Sequence, residues 1–302
     1  MDDPLDDPTS EYSRLKVLTI ANHKGGVAKT TLSKLLAEYS IRKGIRVLGI
    51  DIDPQCNFSA RFVQMEADGG GPPQHPNFDP SDPTWGELAY APPGFWSIAE
   101  FFRLGYAEPY PTDYPNLHFI PSHKKELTVF LEQVEKNNIE EAVIEHIRVM
   151  LLLDYYQEEF DLVIIDTPPQ TSALTASAAR AATHLLIPTE MQEDSVAGMV
   201  DMAQLWRAEN QTRSGEKLHL VGILPTKYDS QSAAQRRTLE SLTQNPVLGD
   251  KLIQPPMRYL QTYANSSATY ANPRSLFDMH ENTPARIEAE EFCDLIYKRI
   301  FA

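Results

Sequence analysis

The stretch ANHKGGVAKTT, residues 21–31, sets Lys24 and Lys29 on either side of the glycine pair Gly25 and Gly26, with Thr30 and Thr31 directly after. Adjacent glycines let backbone N–H groups close on anionic oxygens, and a helix starting just beyond points its positive end at the same spot. In such a loop Lys29 reaches the β and γ phosphates of a nucleotide, and the Thr30 hydroxyl suits Mg2+. The common loop pattern, G-x-x-x-x-G-K-[ST], asks for glycine at 23 and 28. This chain carries His23 and Ala28 there. Two further segments hold acids: DIDPQCN (51–57) offers Asp51 and Asp53, and VIIDTPP (163–169) offers Asp166. Mg2+ keeps several waters and takes few carboxylates beside phosphate oxygens, so this inventory suits it. Each segment alone also reads as plain structure: a glycine turn, a turn opening at Asp53-Pro54, a cap at Asp166.

What precedes each segment supplies the position. LKVLTIA (15–21), RVLGIDID (46–53) and FDLVIIDTPP (160–169) are short apolar runs expected as buried strands. A helix is expected from about Ala28 to Arg42, with Leu32, Leu35, Leu36 and Tyr39 on one face and Gly44 closing it. NLHFIPS (116–122), ATHLLIPTE (182–190) and LHLVGILPTKYD (218–229) continue the strands. Helices are expected over 124–136, 139–156, 195–209 and 285–300. This alternation implies an α/β fold, a doubly wound, mostly parallel sheet with helices on both faces, whose ligands gather at the carboxyl ends of the strands. Residues 68–116 break the rhythm, with 10 of the 23 prolines and the run DGGGPP. They read as a Pro-rich insertion, mostly loop, with a short helix around FWSIAEFF and too little apolar periodicity for a core of its own.

The 302 residues, 42% of them apolar, can bury a substantial core. Residues 1–14 read as an acidic, flexible N-terminus without the basic and apolar regions of a secretory leader, and residues 15–302 as a single domain. No apolar run approaches the ~20 residues that span a bilayer. Cys56 and Cys293 are far apart and form no metal or redox spacing, which fits a reducing cytoplasm. The net charge of −15 opposes nucleic-acid binding, yet it is uneven. Residues 1–211 hold 16 Lys and Arg against 32 Asp and Glu, while residues 212–302 hold 11 against 10, so a local cationic face in the last third is open.

KGGVAKTT, DIDPQCN and DLVIIDTPP, in this order, resemble the deviant-Walker ATPases of the ParA/MinD family. The likeness runs from about Leu15 to the C-terminus, taking in IPTEMQEDSVAGM and GILPTKYDSQ, and is nearest to ParA-type partition ATPases. That family's loop does not require glycine at 23, and its first lysine is its mark. The resemblance implies an Mg2+-dependent ATPase that forms a homodimer on binding ATP, with Lys24 reaching the partner's nucleotide much as an arginine finger does. It further implies that Gly25, Gly26, Val27, Ala28, Lys29, Thr30 and Thr31 bind the phosphates, and that Thr30, Asp53 and Asp166 serve Mg2+. The resemblance likewise implies that Asp53 is the hydrolysis residue and that Pro225 and Thr226 line the adenine. The motifs start at residue 24, so the branch without an N-terminal helix-turn-helix domain is the one expected.

A partition ATPase of this kind would bind nucleoid DNA non-specifically when ATP-bound, and a centromere-binding or adaptor protein would stimulate hydrolysis. Arg236, Arg237, Lys251, Arg258 and Arg274 are the candidate DNA contacts, each of them equally readable as solvated charge. Positioning of a non-DNA cargo is the alternative, or a MinD-like role on a membrane. The acidic final stretch EAEEFCDLIYKRIFA argues against the membrane, since a helix lying on anionic lipid wants Lys and Arg. An electron-transfer ATPase would need paired cysteines bridging a cluster, which Cys56 and Cys293 do not offer.

Overall fold

The computed structural model describes residues 15–66, 71–81, 94–170, 172–266 and 275–302. Seven strands form one sheet: β1 (Lys16–Ile20), β2 (Val47–Asp51), β3 (Tyr110–Pro111), β4 (Leu117–Ile120), β5 (Leu162–Asp166), β6 (His184–Glu190) and β7 (His219–Thr226). Their order is β3-β4-β2-β5-β1-β6-β7, and every pairing is parallel except the short edge contact of β3 with β4. The strands read as continuous apolar runs because both faces are covered. On β6, Leu186 packs into the larger apolar cluster while its neighbours Leu185 and Ile187 pack into a second cluster across the sheet. Alternating residues of one strand thus serve opposite faces. The expected doubly wound α/β architecture is the one observed.

The helices follow the expected periodicity with one difference. α1 (Lys29–Arg42) begins at the phosphate loop and ends at Gly44, whose φ of 82° needs a residue without a β-carbon. After α2 (Ser59–Phe62), the described part of the Pro-rich segment contributes α3 (Ile98–Leu104), which buries Ile98, Ala99, Phe101 and Phe102 in the main core. The short helix expected around FWSIAEFF is thus present, and it joins the common core. α4 (Lys124–Asn137) is as expected. The continuous helix expected over 139–156 is broken into α5 (Glu140–Met150) and α6 (Asp154–Glu159) by a turn at Leu151–Leu153. α7 (Ala173–Ala181), α8 (Glu193–Thr212), α9 (Ala233–Thr243), α10 (Gln261–Ser266) and α11 (Pro284–Ile300) complete the chain. α11 turns Phe292, Cys293, Ile296 and Ile300 into the core and packs on α1, while Ile287 near its start stays exposed. No described helix is long and apolar enough to cross a membrane.

Candidate functional site

Five parallel strands end on one rim. There β1 releases the loop 21–28, β2 and β5 place Asp51 and Asp166 side by side in register, and β6 and β7 pair Glu190 with Thr226. The loop is held from three sides. Asn22, fully buried, donates through Nδ2 to the Pro188 carbonyl at 2.8 Å and accepts the Lys24 backbone N–H on Oδ1 at 2.8 Å. From β7 the Thr226 hydroxyl donates to the Val27 carbonyl at 3.1 Å. Pro169, after β5, packs 3.7 Å from where a β-carbon on Gly25 would lie. Gly26 (φ 80°) and Ala28 (φ 68°) both take left-handed backbone, which lets the loop turn back into α1.

Inside the loop the Lys29 ammonium donates to the carbonyls of Asn22, at 3.0 Å, and Lys24, at 3.1 Å. Burial lowers its pKa, opposed by the charges of Asp166 and Asp53. Thr30 Oγ1 donates to Asp166 Oδ2 at 2.7 Å and Ser33 Oγ to Asp166 Oδ1 at 2.8 Å, so the buried carboxylate is held from two positions of α1. Asp51 accepts from the Asp53 backbone N–H at 3.0 Å and from both the N–H and the hydroxyl of Ser59. It is fully buried and shapes the turn after β2; Asp53 keeps a small exposed edge and caps that turn through the Gln55 N–H at 2.9 Å. Burial raises the pKa of Asp51, Asp53 and Asp166, and for Asp51 the neighbouring Asp166 charge raises it further.

The Thr30 hydroxyl beside the Asp166 carboxylate, with Asp53 nearby, is a donor set that fits a hydrated divalent cation. No three His, Cys, Asp or Glu side chains among the described residues converge as a metal-holding set.

The expected residues fall into three groups. Lys24, Gly25, Gly26, Val27, Ala28, Lys29, Thr30, Asp53 and Asp166 come together on the rim, with Thr31 next along α1. Pro225 and Thr226, expected beside the adenine, are both buried at the end of β7, which runs through them. The Pro225 carbonyl accepts from the Met257 N–H and the Thr226 hydroxyl donates to the Val27 carbonyl, so the pair supports the loop. Of the candidate DNA contacts, Arg236 and Arg237 lie exposed on α9. Arg258 is committed to Glu288, with Nε 2.6 Å from Oε2, and Lys251 to Asp250 at 2.8 Å. Arg274 lies outside the described residues, as does the 1–14 segment. Cys56 and Cys293 are both free and buried. Asn22, Ser33 and Ser59 carry no signal of their roles in the sequence; Asn22 stands inside the loop motif, but its type alone does not reveal its partners.

A family model described as an AAA domain matches residues 15–219. A ParA family protein of Chlamydia trachomatis is 31% identical over 214 residues, covering 69% of this chain and 71% of that protein. The chain belongs to the ParA/MinD family of ATPases. Its other relatives include a Rhizobium rhizogenes protein carrying the replication protein A name, 30% identical over 274 residues. That match takes in 88% of this chain, which spans 62% of the relative's length. The chromosome-partitioning ATPase Soj of Thermus thermophilus is 28% identical over 227 residues, 73% of this chain and 72% of its own. Among solved structures, McdA of Cyanothece in complex with ATP shares the fold with a TM-score of 0.70 at 21% identity, covering 95% and 97% of the two chains.

Proposed function

We propose that this ParA-family chain is an Mg2+-dependent ATPase that forms a homodimer on ATP and positions or segregates DNA, binding it non-specifically until a centromere-binding or adaptor protein stimulates hydrolysis. The observation that carries the reading is the Lys29 ammonium seated between the Asn22 and Lys24 carbonyls at the centre of the loop, with Thr30 and Asp166 joined beside it. Its two backbone partners are weaker acceptors than phosphate oxygens, so a bound triphosphate draws the ammonium over. Thr30 would turn its hydroxyl from Asp166 to Mg2+, and Asp53 and Asp166 would hold the ion's waters. Mg2+ supplies neutralisation of charge on the transferred phosphoryl group. Asp53, which keeps a small exposed edge on this rim, would orient the attacking water. Lys24 at the loop mouth would reach the partner's nucleotide and complete the charge stabilisation. The names of the relatives support a partition role, and the burial of Phe292, Cys293, Ile296 and Ile300 on α11 keeps those side chains from a lipid surface. In this reading the protein is cytoplasmic and collects on the nucleoid when ATP-bound.

The test uses the full chain with ATP, Mg2+ and a random-sequence duplex. Lys29→Ala abolishes nucleotide binding by calorimetry. Asp53→Ala binds ATP and dimerises on a sizing column, yet turns over about a hundredfold more slowly. Unchanged turnover in Asp53→Ala would take hydrolysis away from that carboxylate, and tight ATP binding by Lys29→Ala would take the nucleotide out of this loop.

A further inference from the structure

At the outer side of the loop, two charged side chains that the site above does not use face each other. Lys227 Nζ lies 3.0 Å from Glu190 Oε1, where β6 and β7 leave the sheet together. The same ammonium lies 3.8 Å from where a β-carbon on Gly26 would sit, so it rests against the bare α-carbon of the phosphate loop. Its place is fixed by backbone. Lys227 adopts φ 49°, a left-handed conformation that costs a lysine about 1 kcal/mol, and Thr226 just before it is fastened to Val27. The strain is stored next to the candidate site, where unusual backbone most often serves a purpose.

We propose that Lys227 is a third cation for the nucleotide, resting on Glu190 while the loop is empty and turning to the polyphosphate when it fills. The proposal rests on the nucleotide site proposed above and adds to it a residue and a competing anion. The mobility is unequal in the required sense: the Lys227 side chain is 40% exposed and the Glu190 side chain 16%, so the lysine can leave and the carboxylate stays. A lysine stem has four rotatable bonds, enough to carry its ammonium across the few ångströms past Gly26. Glycine at 26 keeps that path open, since a β-carbon there would lie in contact with Nζ. A triphosphate concentrates several negative charges against the single one of Glu190, so the exchange favours the nucleotide. Glu190 in turn acts as a built-in competitor that weakens binding.

The experiment titrates the full chain with Mg2+ and a fluorescent N-methylanthraniloyl ATP in four forms: wild type, Lys227→Met, Glu190→Gln and the double variant. Methionine keeps the apolar stem and removes the charge. Lys227→Met weakens binding about tenfold, the worth of one charge-assisted hydrogen bond. Glu190→Gln tightens it a few-fold, and that gain disappears when Lys227 is already Met, because the carboxylate then has no ammonium to withhold. A thermal melt of each nucleotide-free variant shows that the fold survives. Should Lys227→Met and Glu190→Gln both bind within twofold of wild type while Lys29→Ala does not bind, the pair is a strut between β6 and β7 and the proposal is wrong. A wild type that binds no nucleotide would overturn the site reading itself, and this inference with it.

Discussion

Ala28 holds a conformation that alanine avoids. With φ 68° and ψ 24° it sits in the left-handed region, and its carbonyl accepts the Leu32 N–H at 3.0 Å, so the strained residue also starts α1. The cost to a residue with a β-carbon is about 1 kcal/mol. Ala28→Gly removes it but adds freedom to the unfolded chain worth part of that amount. The expected net gain is about 0.5 kcal/mol in urea unfolding. A loss of stability would show that the methyl group packs usefully and the strain is already relieved. Much of this loop is legible in the sequence because lysine, glycine and threonine declare their chemistry by type and local spacing. Its supports are not. Asn22 reaches Pro188, Ser33 reaches Asp166 and Thr226 reaches Val27, over separations of 166, 133 and 199 residues, and no local pattern signals such partners. For the same reason Thr226 reads as a base contact although its hydroxyl is engaged inside the protein.

At the scale of elements, strands are easier to read than the connections between them. Val, Leu and Ile in unbroken runs announce a strand covered on both faces, and all the main strands lie where those runs do. α3 is legible as a short helix around FWSIAEFF without firm bounds, because seven residues are too few to establish a helical period. A signal is nonetheless present: Ser97 and Glu100 form a capping box, with the Ala99 N–H donating to Ser97 Oγ at 3.2 Å and the Ser97 N–H to Glu100 Oε2 at 2.9 Å. Gly105, at φ 80°, closes the other end. The break between α5 and α6 carries no comparable sign, since LLLDYY contains neither glycine nor proline. Phe101 decides whether α3 belongs to the core or merely lies on it. It is fully buried, with ring centroids 6.2 Å from Tyr156 and 6.5 Å from His146. Phe101→Ala is therefore expected to destabilise the protein by roughly 3–4 kcal/mol in denaturant titration. A change below about 0.5 kcal/mol would return the segment to the status of a surface loop.

At the scale of the molecule, the proposed DNA contact must work against a net charge of −15. Long-range repulsion of this kind is screened beyond about 10 Å at about 0.1 M salt, so a small cationic face can still hold a duplex if it touches phosphates directly. The structure separates the candidates by what else they do. Arg258 bonds Glu288 through both its side chain and its backbone N–H, and Tyr263 donates to the same carboxylate at 2.8 Å. Removing that guanidinium leaves Glu288, itself nearly buried, without its cation. Arg258→Ala should lower the unfolding midpoint, so weaker DNA binding by that variant would say little about contact. Arg236 and Arg237 differ: both are exposed on α9, and the Arg236 guanidinium donates to the Ser230 carbonyl at the surface. Replacing both by Ala should leave unfolding and ATP turnover within error of wild type. It should also weaken ATP-dependent binding to a random duplex, and reduce the slope of log affinity against log salt by about 2, one for each phosphate no longer neutralised. Fluorescence anisotropy titrations in about 50 to about 200 mM salt measure both the affinity and the slope. An unchanged slope would remove α9 from the DNA face and leave a non-DNA cargo as the better account of what this ATPase positions.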